Sequence, residues 1–308
     1  TVIIESTVYP GATEDVIAPI LTKSGFQVGE DIHVAFSPER IDPGNEEYAP
    51  REIPKVLGGV TPDCRDHAQA LYKPVFDELV AVNSATEAEL VKLLENTFRS
   101  VNIALINELA IVADRLDADI WNVVEGAATK PFGYTPFFPG PGLGGHCIPV
   151  DTRYLTWKAK QLGFDMRLVN EADNINRKMP THTVQRITEL LNGTETPMTD
   201  AEVFIVGVAY KSDVSDTRES PALEVMQLLI ERGSSVKYHD PHVPELSVND
   251  EEYHSQALTR KQLNESDCVV ILTDHSAVDT GFIVDYAPLV FDARNATSEY
   301  TADHVHVL

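Results

Sequence analysis

Short apolar runs alternate with amphipathic segments through the first 82 residues of the chain. The apolar runs have the length and β-branched content of strands, and the amphipathic segments have helical spacing. The predicted strands are Val2–Glu5, Val34–Phe36, Lys55–Leu57 and Glu78–Val82, and the predicted helices are Thr13–Lys23, with Thr13 as its N-cap, and Thr61–Tyr72. This alternation predicts an α/β domain, in which the polar loops Ser6–Gly11 and Ser37–Gly44 follow strands, where ligands bind to open parallel sheets.

One apolar periodicity is much longer than the rest. Apolar residues recur at helical spacing over Ser84–Leu116 and predict one helix of about 30 residues, a length typical of a central or dimer-forming helix. Lys92 and Asn96 lie four positions apart, and therefore on one face of this helix. A lysine and an asparagine that share a helix face are, taken alone, usually only solvated surface residues. Further polar residues in the same apolar helix favour a functional face: Asn102, Asn107 and Glu108.

Shorter helices and a second α/β unit follow. The predicted helices are Asp119–Gly126, Asp151–Gln161 and Leu168–Leu191, and the predicted strands are Glu202–Gly207, Val236–His239, Cys268–Leu272 and Leu289–Phe291. Pro180 lies inside the last helical pattern and predicts a kink or a break, because proline lacks the backbone donor of a helix interior. Ser220 and Pro221 have the residue types of an N-cap and a first helical position, for a helix that runs to Glu231.

Three cations stand in loops that follow strands of the second unit. They are Lys211, Arg218 and Arg294, in a chain with twice as many acidic as basic residues. Loops after parallel strands leave one edge of a sheet, so these side chains are placed to bind an anion or a phosphate. The alternative for each cation is a local salt bridge.

The stretch Gly140–Asp151 joins a glycine loop to a thiol and a carboxylate. The run Gly140–Gly145 permits positive φ angles and a close approach of a ligand to the backbone. Cys147 follows this run, and Asp151 stands four positions later. A helix that starts near Pro149 would bring the thiol to a helix N-terminus, where a cysteine becomes more nucleophilic. The alternative is a buried cysteine beside a turn.

The glycine spacing is not a dinucleotide fingerprint. Gly140, Gly142 and Gly145 match G-x-G-x-x-G, but that motif needs a strand before it and a helix opening inside it. The preceding segment, Thr135–Pro139, is rich in proline and makes a poor strand. We therefore reject a Rossmann interpretation of this loop.

The charge balance excludes one class of partner. The 308 residues include 48 acidic against 24 basic side chains, a formal net charge of −24 that is spread along the sequence. A nucleic-acid partner would require a basic face, so none is expected. A self-repelling, solvated surface of this kind is typical of halophile proteins that stay soluble in a salty cytoplasm, and an ordinary acidic protein is the alternative.

Cysteine content and hydropathy set further limits. Cys64, Cys147 and Cys268 are odd in number and far apart, which suits neither a disulfide framework nor a zinc site, so no metal is predicted. No apolar run reaches the length of a membrane-spanning helix, so no membrane partner is expected. The chain starts at Thr1 inside a predicted buried strand, where natural domains seldom begin. We therefore expect a fragment of a longer protein.

Several stretches together resemble the UDP-glucose/GDP-mannose dehydrogenase family. They lie in family order along nearly the whole chain: Ser6–Gly11, Ser37–Arg40, Lys92 with Asn96, Gly144–Asp151, and Tyr210–Pro221. The residues of these motifs are more similar to the branch that oxidises UDP-N-acetylhexosamines than to the UDP-glucose branch. Pro43 stands where the UDP-glucose branch has a second glutamate, and this also favours an acetamido sugar.

The resemblance implies an NAD-dependent 6-dehydrogenase that oxidises the C6 alcohol of a UDP-sugar in two hydride transfers to NAD. Cys147 is expected to attack the intermediate aldehyde, so that a thiohemiacetal and then a thioester form before water releases the uronate. Lys92 and Asn96 are expected to stabilise the developing oxyanion.

The resemblance assigns further roles. Asp151 and Thr7 are expected to position or activate water, and Glu39 to assist thioester hydrolysis. The expected cofactor contacts are Ser6, Thr7, Glu39 and Arg218. The expected contacts of the UDP-sugar are Lys92, Asn96, Lys130, Phe137, Gly142, Gly144, Lys211 and Arg294. Family members begin with a full Rossmann unit that carries a glycine fingerprint. About 100 residues of that unit are expected to be missing, so this chain should bind NAD poorly or not at all by itself.

We predict an α/β protein with two Rossmann-like parallel-sheet domains, the first incomplete, joined by a central long-helix region. The predicted regions are 1–82, the residual NAD-binding half; 83–198, the central helical region with the catalytic loop; and 199–308, the UDP-sugar-binding domain. The family resemblance implies a homodimer through the central helix. The alternatives are a truncated UDP-sugar-binding protein without redox activity, UDP-glucose as the substrate, and an unrelated two-domain α/β protein.

Overall fold

The computed structural model describes residues 1–41, 48–145 and 148–308. The helices are α1 (Ala18–Lys23), α2 (Pro62–Tyr72), α3 (Ala85–Arg115), α4 (Ile120–Ala128), α5 (Ile148–Gln161), α6 (Arg167–Gly193), α7 (Pro221–Glu231), α8 (Arg260–Asn264) and α9 (Thr280–Tyr286). The strands are β1 (Val2–Ile4), β2 (Val34–Phe36), β3 (Lys55–Gly59), β4 (Leu79–Ala81), β5 (Glu202–Val206), β6 (Ser235–His239), β7 (Glu245–Val248), β8 (Glu251–His254), β9 (Cys268–Ile271), β10 (Val290–Asp292) and β11 (Val305–Val307). A π-helical turn, Thr13–Ile17, leads into α1.

The chain forms two compact units, each built from two stretches of sequence. Unit 1 is Thr1–Arg99 with Val150–Asn170, and unit 2 is Ser100–Pro149 with Glu171–Leu308. The division into three regions that the sequence suggests stays a prediction.

Unit 1 contains a four-stranded sheet in the order β1-β2-β3-β4. The pairs β1–β2 and β3–β4 are parallel, whereas β2 and β3 run antiparallel. Ala35 and Phe36 of β2 point to opposite faces of the sheet. Phe36 joins an apolar cluster with residues of α3, and Ala35 joins another with residues of α2. Because β1 and β2 are parallel, the polar loops after them leave the sheet at the same edge.

Unit 2 contains a fully parallel five-stranded sheet in the order β11-β10-β9-β5-β6. The chain passes from β5 to β6 on one side and then to β9 on the other side of β5, so the strand order reverses between β5 and β9. Open parallel sheets bind ligands outside the carboxyl ends of the strands at such a reversal. The loops that leave this edge of the sheet carry Lys211, Arg218 and Arg294.

The structure confirms the α/β fold class and reproduces every strand and helix predicted above to within a few residues at each end. Among the helices and strands given above for the described residues, the sequence pattern missed β7, β8, α8, α9 and β11. The first two form an antiparallel hairpin whose turn residues, Asn249 and Asp250, both have positive φ. An Asn-Asp pair is a recognisable turn signal, but only short segments flank it, and the second begins with two acidic residues, Glu251 and Glu252.

Two local predictions need correction. Helix α6 continues through Pro180 to Gly193, so Pro180 does not break it, and the alternative, a kink, stays a prediction. Thr13 does not cap a helix, because its backbone amide and its hydroxyl both donate to Glu89 instead. Within the part of the chain that the structure describes, no helix combines the length and apolar content needed to cross a membrane.

Candidate functional site

Asn96 and Asp151 form a buried hydrogen-bonded pair in unit 1. Asn96 Nδ2 donates to Asp151 Oδ2 at 2.6 Å, and the two residues are only 9% and 1% exposed. Asn96 lies on α3, and Asp151 lies in the first turn of α5, where the helix dipole favours a carboxylate. The helix predicted to start near Pro149 begins at Ile148, so it presents Asp151 from its first turn.

Lys92 stands one helical turn before Asn96 on the same face of α3 and is 8% exposed. Among the described residues, no carboxylate lies within ion-pairing distance of its ammonium group. A buried lysine normally has such a partner, because an uncompensated charge is costly away from water. An ammonium of this kind is suited to stabilise negative charge that develops on a bound substrate.

Ser6, Thr7 and Glu39 lie in the two loops that leave one edge of the unit 1 sheet. Glu39 Oε1 accepts hydrogen bonds from the backbone amides of Arg40 and Ile41, at 2.8 and 2.7 Å. No hydrogen bond or ion pair between described residues joins Thr7 or Glu39 to Lys92 or Asn96. The structure therefore places these loops at a sheet edge without fixing their side chains to the buried pair.

Lys55 is a residue of this edge that the sequence analysis missed. It is 5% exposed, and its ammonium lies 2.8 Å from Glu5 and 3.9 Å from Glu39. Tyr72 also donates to Glu5, at 2.8 Å. A lysine that opens an apolar strand, as in Lys55-Val56-Leu57, is the signal that would have found it.

Glu89 fixes the loop that contains Thr7 to α3. Its two carboxylate oxygens accept from the backbone amides of Gly11 and Thr13, at 2.5 and 2.9 Å, and from the Thr13 hydroxyl at 2.6 Å. Glu89 is 1% exposed and lies one turn before Lys92. Burial raises the pKa of Glu89, and the hydrogen bonds from Thr13 and Gly11 oppose that effect. The carboxylate thereby ties the loop after β1 to the helix face that carries Lys92 and Asn96.

We expect the substitution Glu89→Gln to lower the free energy of unfolding by about 1–3 kcal/mol, because the amide cannot accept from both sides as the carboxylate does. The folded-state pKa lies above the ordinary value of 4.5, so the folded state holds the proton more tightly than the unfolded state. The stability that Glu89 contributes is therefore largest below pH 4.5 and falls as the pH rises through the folded-state pKa. Urea unfolding at a series of pH values measures both effects.

The exposed Glu108 of the same helix provides the matched control, Glu108→Gln. A pH-independent difference between wild type and Glu89→Gln would contradict the raised pKa, and equal losses in both variants would contradict the anchoring role.

The glycine loop Gly140–Gly145 lies within unit 2 and is held by two asparagines. Asn107 Oδ1 accepts from the Gly140 amide at 3.0 Å, while Asn107 Nδ2 donates to Asn176 Oδ1 at 3.0 Å. Asn176 in turn donates to the carbonyl of Ser100 at 3.1 Å. Asn107 was noted above as an unusual polar residue of the long helix, whereas Asn176 carried no recognisable signal.

The positive φ angles expected for this loop occur at Gly142 and Gly145, at 141° and 88°. A Cβ atom at Gly142 would lie 2.9 Å from the Pro221 side chain, and one at Gly145 would lie 2.9 Å from the Tyr210 ring. The Gly145 amide also donates to the Arg218 carbonyl at 3.3 Å. The loop is therefore packed against the polypeptide that follows β5, and both conformation and space require glycine.

Arg294 lies beside the glycine loop. Its Nε donates to the Leu272 carbonyl at 2.8 Å, and a Cβ at Gly140 would lie 2.6 Å from its guanidinium. Asp292 positions the arginine by accepting from the Arg294 backbone amide at 2.8 Å. Burial lowers the pKa of Arg294 to about 10, against the effect of Asp292 and Asp274, so the side chain stays charged at neutral pH. The guanidinium keeps donors available for an anion.

The other predicted cations differ from Arg294. Lys211 is half-buried in the loop after β5. Arg218 is exposed and pairs with Asp216 at 2.6 Å, the local salt bridge that was its alternative. Lys130 is exposed and lies 5.0 Å above the ring of Phe132, and Phe137 packs against an apolar cluster around Trp121. The structure therefore brings Arg294 to the glycine loop and leaves Lys130 at the surface.

Two predictions fall outside the described residues. Cys147 is the expected nucleophile, and Pro43 is the position that favours an acetamido sugar. Both stay predictions.

Three family models match the chain in order. The matches are to the UDP-glucose/GDP-mannose dehydrogenase family, with its NAD binding domain at residues 1–76, its central domain at 86–178 and its UDP binding domain at 204–299.

Relatives and solved structures agree with these matches. The chain is 37% identical over 244 residues to the UDP-N-acetyl-D-glucosamine 6-dehydrogenase of Pseudomonas aeruginosa, covering 79% of this chain and 57% of that one. It is 33% identical over 304 residues to the UDP-N-acetyl-D-mannosamine dehydrogenase of Methanococcus maripaludis, covering 96% and 66%. The structure of UDP-N-acetylmannosamine dehydrogenase from Pyrococcus horikoshii superposes with a TM-score of 0.87 at 33% identity, covering 99% of this chain and 71% of that one. The chain thus spans 57–66% of the length of these two relatives.

Proposed function

Because the chain belongs to the UDP-glucose/GDP-mannose dehydrogenase family, we propose that it serves the NAD-dependent oxidation of a UDP-sugar at C6 to the uronate. The observation that carries this proposal is the 2.6 Å hydrogen bond between Asn96 and Asp151. It joins two parts of the family pattern, 55 residues apart in sequence, inside a buried setting with Lys92 one turn away. An asparagine or a lysine with only a structural or surface role would not need this buried arrangement.

The chemistry assigns one role to each side chain. NAD, when bound, would supply the hydride acceptor for the two oxidations. The Cys147 thiolate adds to the C6 aldehyde, and the thiohemiacetal loses its hydride to become a thioester; water then cleaves the C–S bond, returning the thiol and releasing the carboxylate. Lys92 and Asn96 offer a positive charge and an amide donor to the oxyanion of these steps. Asp151, which already accepts from Asn96, orients that amide and accepts a proton from water.

Unit 2 supplies the groups that suit the nucleotide. Arg294 presents a charged guanidinium beside the glycine loop, and Lys211 lies in the neighbouring loop after β5. Lys211 lies in the loop after β5, and Arg294 lies in the loop after β10. These two loops leave the same edge of the sheet, where open parallel sheets bind nucleotides. Gly142 and Gly144 belong to the glycine loop, where the lack of a side chain lets the backbone lie against Pro221. These groups support the binding of UDP.

The substrate class is a UDP-N-acetylhexosamine in this proposal. The two relatives reported above are named for UDP-N-acetylglucosamine and UDP-N-acetylmannosamine. Pro43 removes the carboxylate that the UDP-glucose branch carries at that position. The loss of that negative charge favours an acetamido sugar over glucose in this proposal.

The residues of unit 1 fit one end of NAD. Ser6, Thr7 and Glu39 supply hydroxyl and carboxylate groups at the carboxyl edge of two parallel strands. The pyrophosphate of NAD has no such groups at the start of the first helical turn, because the amides of Gly11 and Thr13 there already donate to Glu89. That helix start therefore does not offer these amides to a phosphate in the way that a dinucleotide-binding turn does.

Isothermal titration of the chain with UDP-N-acetylglucosamine, UDP-N-acetylmannosamine and UDP-glucose tests the substrate, and a titration with NAD tests the cofactor. We expect at least one acetamido sugar nucleotide to bind more tightly than UDP-glucose. Tighter binding of UDP-glucose would overturn the acetamido assignment, and no binding of any UDP-sugar would overturn the proposal. Where NAD binds, NADH formation in wild type and Cys147→Ser tests the thioester route, since the serine variant should form no uronate.

A second candidate function, UDP-sugar binding without hydride transfer, is favoured by the engagement of Gly11 and Thr13 with Glu89. Binding of a UDP-sugar together with no binding of NAD would support it. Binding of both would leave the dehydrogenase as the function.

Helix α3 supports a homodimer as the assembly. Large apolar side chains stay exposed along it at helical spacing: Leu90, Leu94, Phe98, Leu105, Leu109 and Val112. Leu94 is the most open of these, at 67% exposed. A continuous apolar stripe on a long helix is typical of a surface that packs against a second helix.

We expect wild type to run as a dimer and Leu94→Glu as a monomer, because the substitution replaces the most exposed apolar side chain of the stripe with a charge. Size-exclusion chromatography with light scattering measures the mass directly. Leu71→Glu is the control, since Leu71 is 55% exposed on α2, away from the stripe. A dimeric Leu94→Glu variant would exclude this surface as the interface.

A further inference from the structure

Three side chains that the proposed function does not use meet at the carboxyl edge of the unit 2 sheet. Asp213 comes from the loop after β5, His242 from the loop after β6 and His275 from the loop after β9. One nitrogen or oxygen atom from each lies within 4.8 Å of the other two. Asp213 Oδ1 is 3.7 Å from His242 Nε2 and 3.9 Å from His275 Nδ1. We propose that these three side chains bind one divalent transition-metal ion of the zinc class.

His275 has the tautomer that a metal ligand needs. Its Nε2 lies 3.0 Å from Asp240 Oδ2, and a carboxylate can only accept, so Nε2 carries the proton. Its Nδ1 accepts from the backbone amide of Asp213 at 3.0 Å, which requires a lone pair on Nδ1. A metal ion would take this lone pair over from the Asp213 amide. An imidazole whose second nitrogen donates to a carboxylate is the usual arrangement of a histidine metal ligand.

His242 contributes a nitrogen that lacks a partner. Its Nε2 is shielded from solvent, and the described residues supply it with no hydrogen bond. Buried polar atoms nearly always have a hydrogen-bond partner, because an atom without one loses its hydration on folding and gains nothing in return. The Asp213 carboxylate lies 3.7 Å from this nitrogen, a distance too long for a hydrogen bond. A metal ion between the two groups would satisfy the nitrogen.

Two carboxylates hold the cluster in place. Asp240 Oδ1 accepts from the backbone amides of His242 and Val243, and its Oδ2 accepts from the amide of Val208. Asp240 therefore fixes the loop after β6 to the loop after β5 while it orients the His275 ring. Asp213 Oδ1 accepts from the amide and the hydroxyl of Ser276, at 2.9 and 3.0 Å. The ligands come from a preformed frame, and small movements suffice to bring them to bonding distance.

The donor set selects the class of metal. Two imidazole nitrogens and one carboxylate suit zinc and its neighbours, whereas magnesium and calcium prefer oxygen ligands only. Asp213 is exposed, so water can complete a four-coordinate site. The metal must displace the hydrogen bond from the Asp213 amide to His275 Nδ1 and compete with Ser276 for Asp213 Oδ1, and both costs make the site weaker than a closed structural zinc site. Binding would tie three loops together, including the loop that carries Lys211.

Isothermal titration of the chelator-treated full chain with zinc chloride tests the proposal. We expect one ion per chain, and an increase of the melting temperature with zinc concentration, since zinc binds only the folded arrangement. Titration with cobalt chloride should give the intense visible absorption of a four-coordinate cobalt site. No saturable binding of either metal would overturn the proposal.

Variants locate the site independently of the proposed function. His242→Ala and Asp213→Asn should each weaken zinc binding at least about tenfold, with unchanged circular dichroism, since both side chains are partly exposed. The matched control is His67→Gln. The rings of His33 and His67 stack at 3.5 Å in unit 1 and form the competing histidine pair. Loss of binding in His67→Gln, with full binding in His242→Ala, would overturn the assignment.

Discussion

Replacing Arg294 with methionine is expected to weaken the binding of UDP-N-acetylglucosamine about 100-fold while the fold of unit 2 survives. The guanidinium is charged, half-buried and adjacent to the glycine loop. Its Nε donates to the Leu272 carbonyl. No carboxylate among the described residues forms an ion pair with it. Two charge-assisted hydrogen bonds to a diphosphate account for a loss of this size.

The same variant loses the hydrogen bond to Leu272, so its free energy of unfolding should fall by only about 1 kcal/mol. Arg294→Lys keeps the charge but not the planar fork of donors, and we expect an intermediate loss of about tenfold. Isothermal titration measures the affinities, and thermal melting monitors the fold.

Arg232→Met provides the matched control. Arg232 also lies in unit 2, but its guanidinium is bound to the Thr188 hydroxyl at 3.2 Å on an exposed surface. Equal affinities of wild type and Arg294→Met would exclude Arg294 as a ligand of the nucleotide. A similar loss in Arg232→Met would show that the effect comes from net charge alone, since both variants remove one positive charge.

The position of Arg294 was predictable, because it depends on a regularity of parallel sheets. A buried apolar run, Leu289–Phe291, is followed directly by polar residues, and parallel strands send such loops to one edge. The same reasoning placed Lys211 after β5. Local sequence sufficed in these cases because the topology, not the side-chain packing, decides where the loop emerges.

The residues that the sequence analysis missed depend on contacts between distant segments. Glu89 stands among small and acidic residues at the start of α3 and resembles an exposed glutamate, yet its partners lie 76 and 78 positions earlier. Asn176 is likewise an ordinary polar residue of α6 until Asn107 approaches it from α3. Periodicity assigns such residues to a helix face, but it cannot say what that face meets.

The direction of β3 was unpredictable for a different reason. A long connection separates Phe36 of β2 from Lys55 of β3, and a connection of that length permits either a parallel or an antiparallel pair. The strands themselves were predicted from their composition. The observed antiparallel pairing therefore changes which edge each loop leaves without changing the list of strands.

Gly207→Ala is expected to destabilise unit 2 by about 3–5 kcal/mol, the largest stability effect that we predict. Gly207 directly follows β5 and has a φ of 81°, a conformation that costs an L-residue about 1–2 kcal/mol. The added Cβ would also overlap the Thr273 carbonyl oxygen and lie 2.6 Å from the Thr273 Cβ. The Gly207 backbone is held by the hydrogen bond from its amide to the His239 carbonyl at 2.9 Å, and Thr273 is held by the bond from its hydroxyl to the Ala209 carbonyl at 2.6 Å.

Gly233→Ala separates the two contributions, since Gly233 has a φ of 91° but its nearest neighbour, Thr199, would lie 3.5 Å from a new Cβ. It should cost only the backbone term of about 1–2 kcal/mol. The chain has two tryptophans, Trp121 in unit 2 and Trp157 in unit 1, so urea unfolding in a Trp157→Phe background reports on unit 2 alone. Equal losses for the two glycine variants would show that the loop after β5 yields to the added methyl group. In that case the carboxyl edge of this sheet, which carries Lys211 and the proposed metal ligands, is softer than its hydrogen bonds indicate.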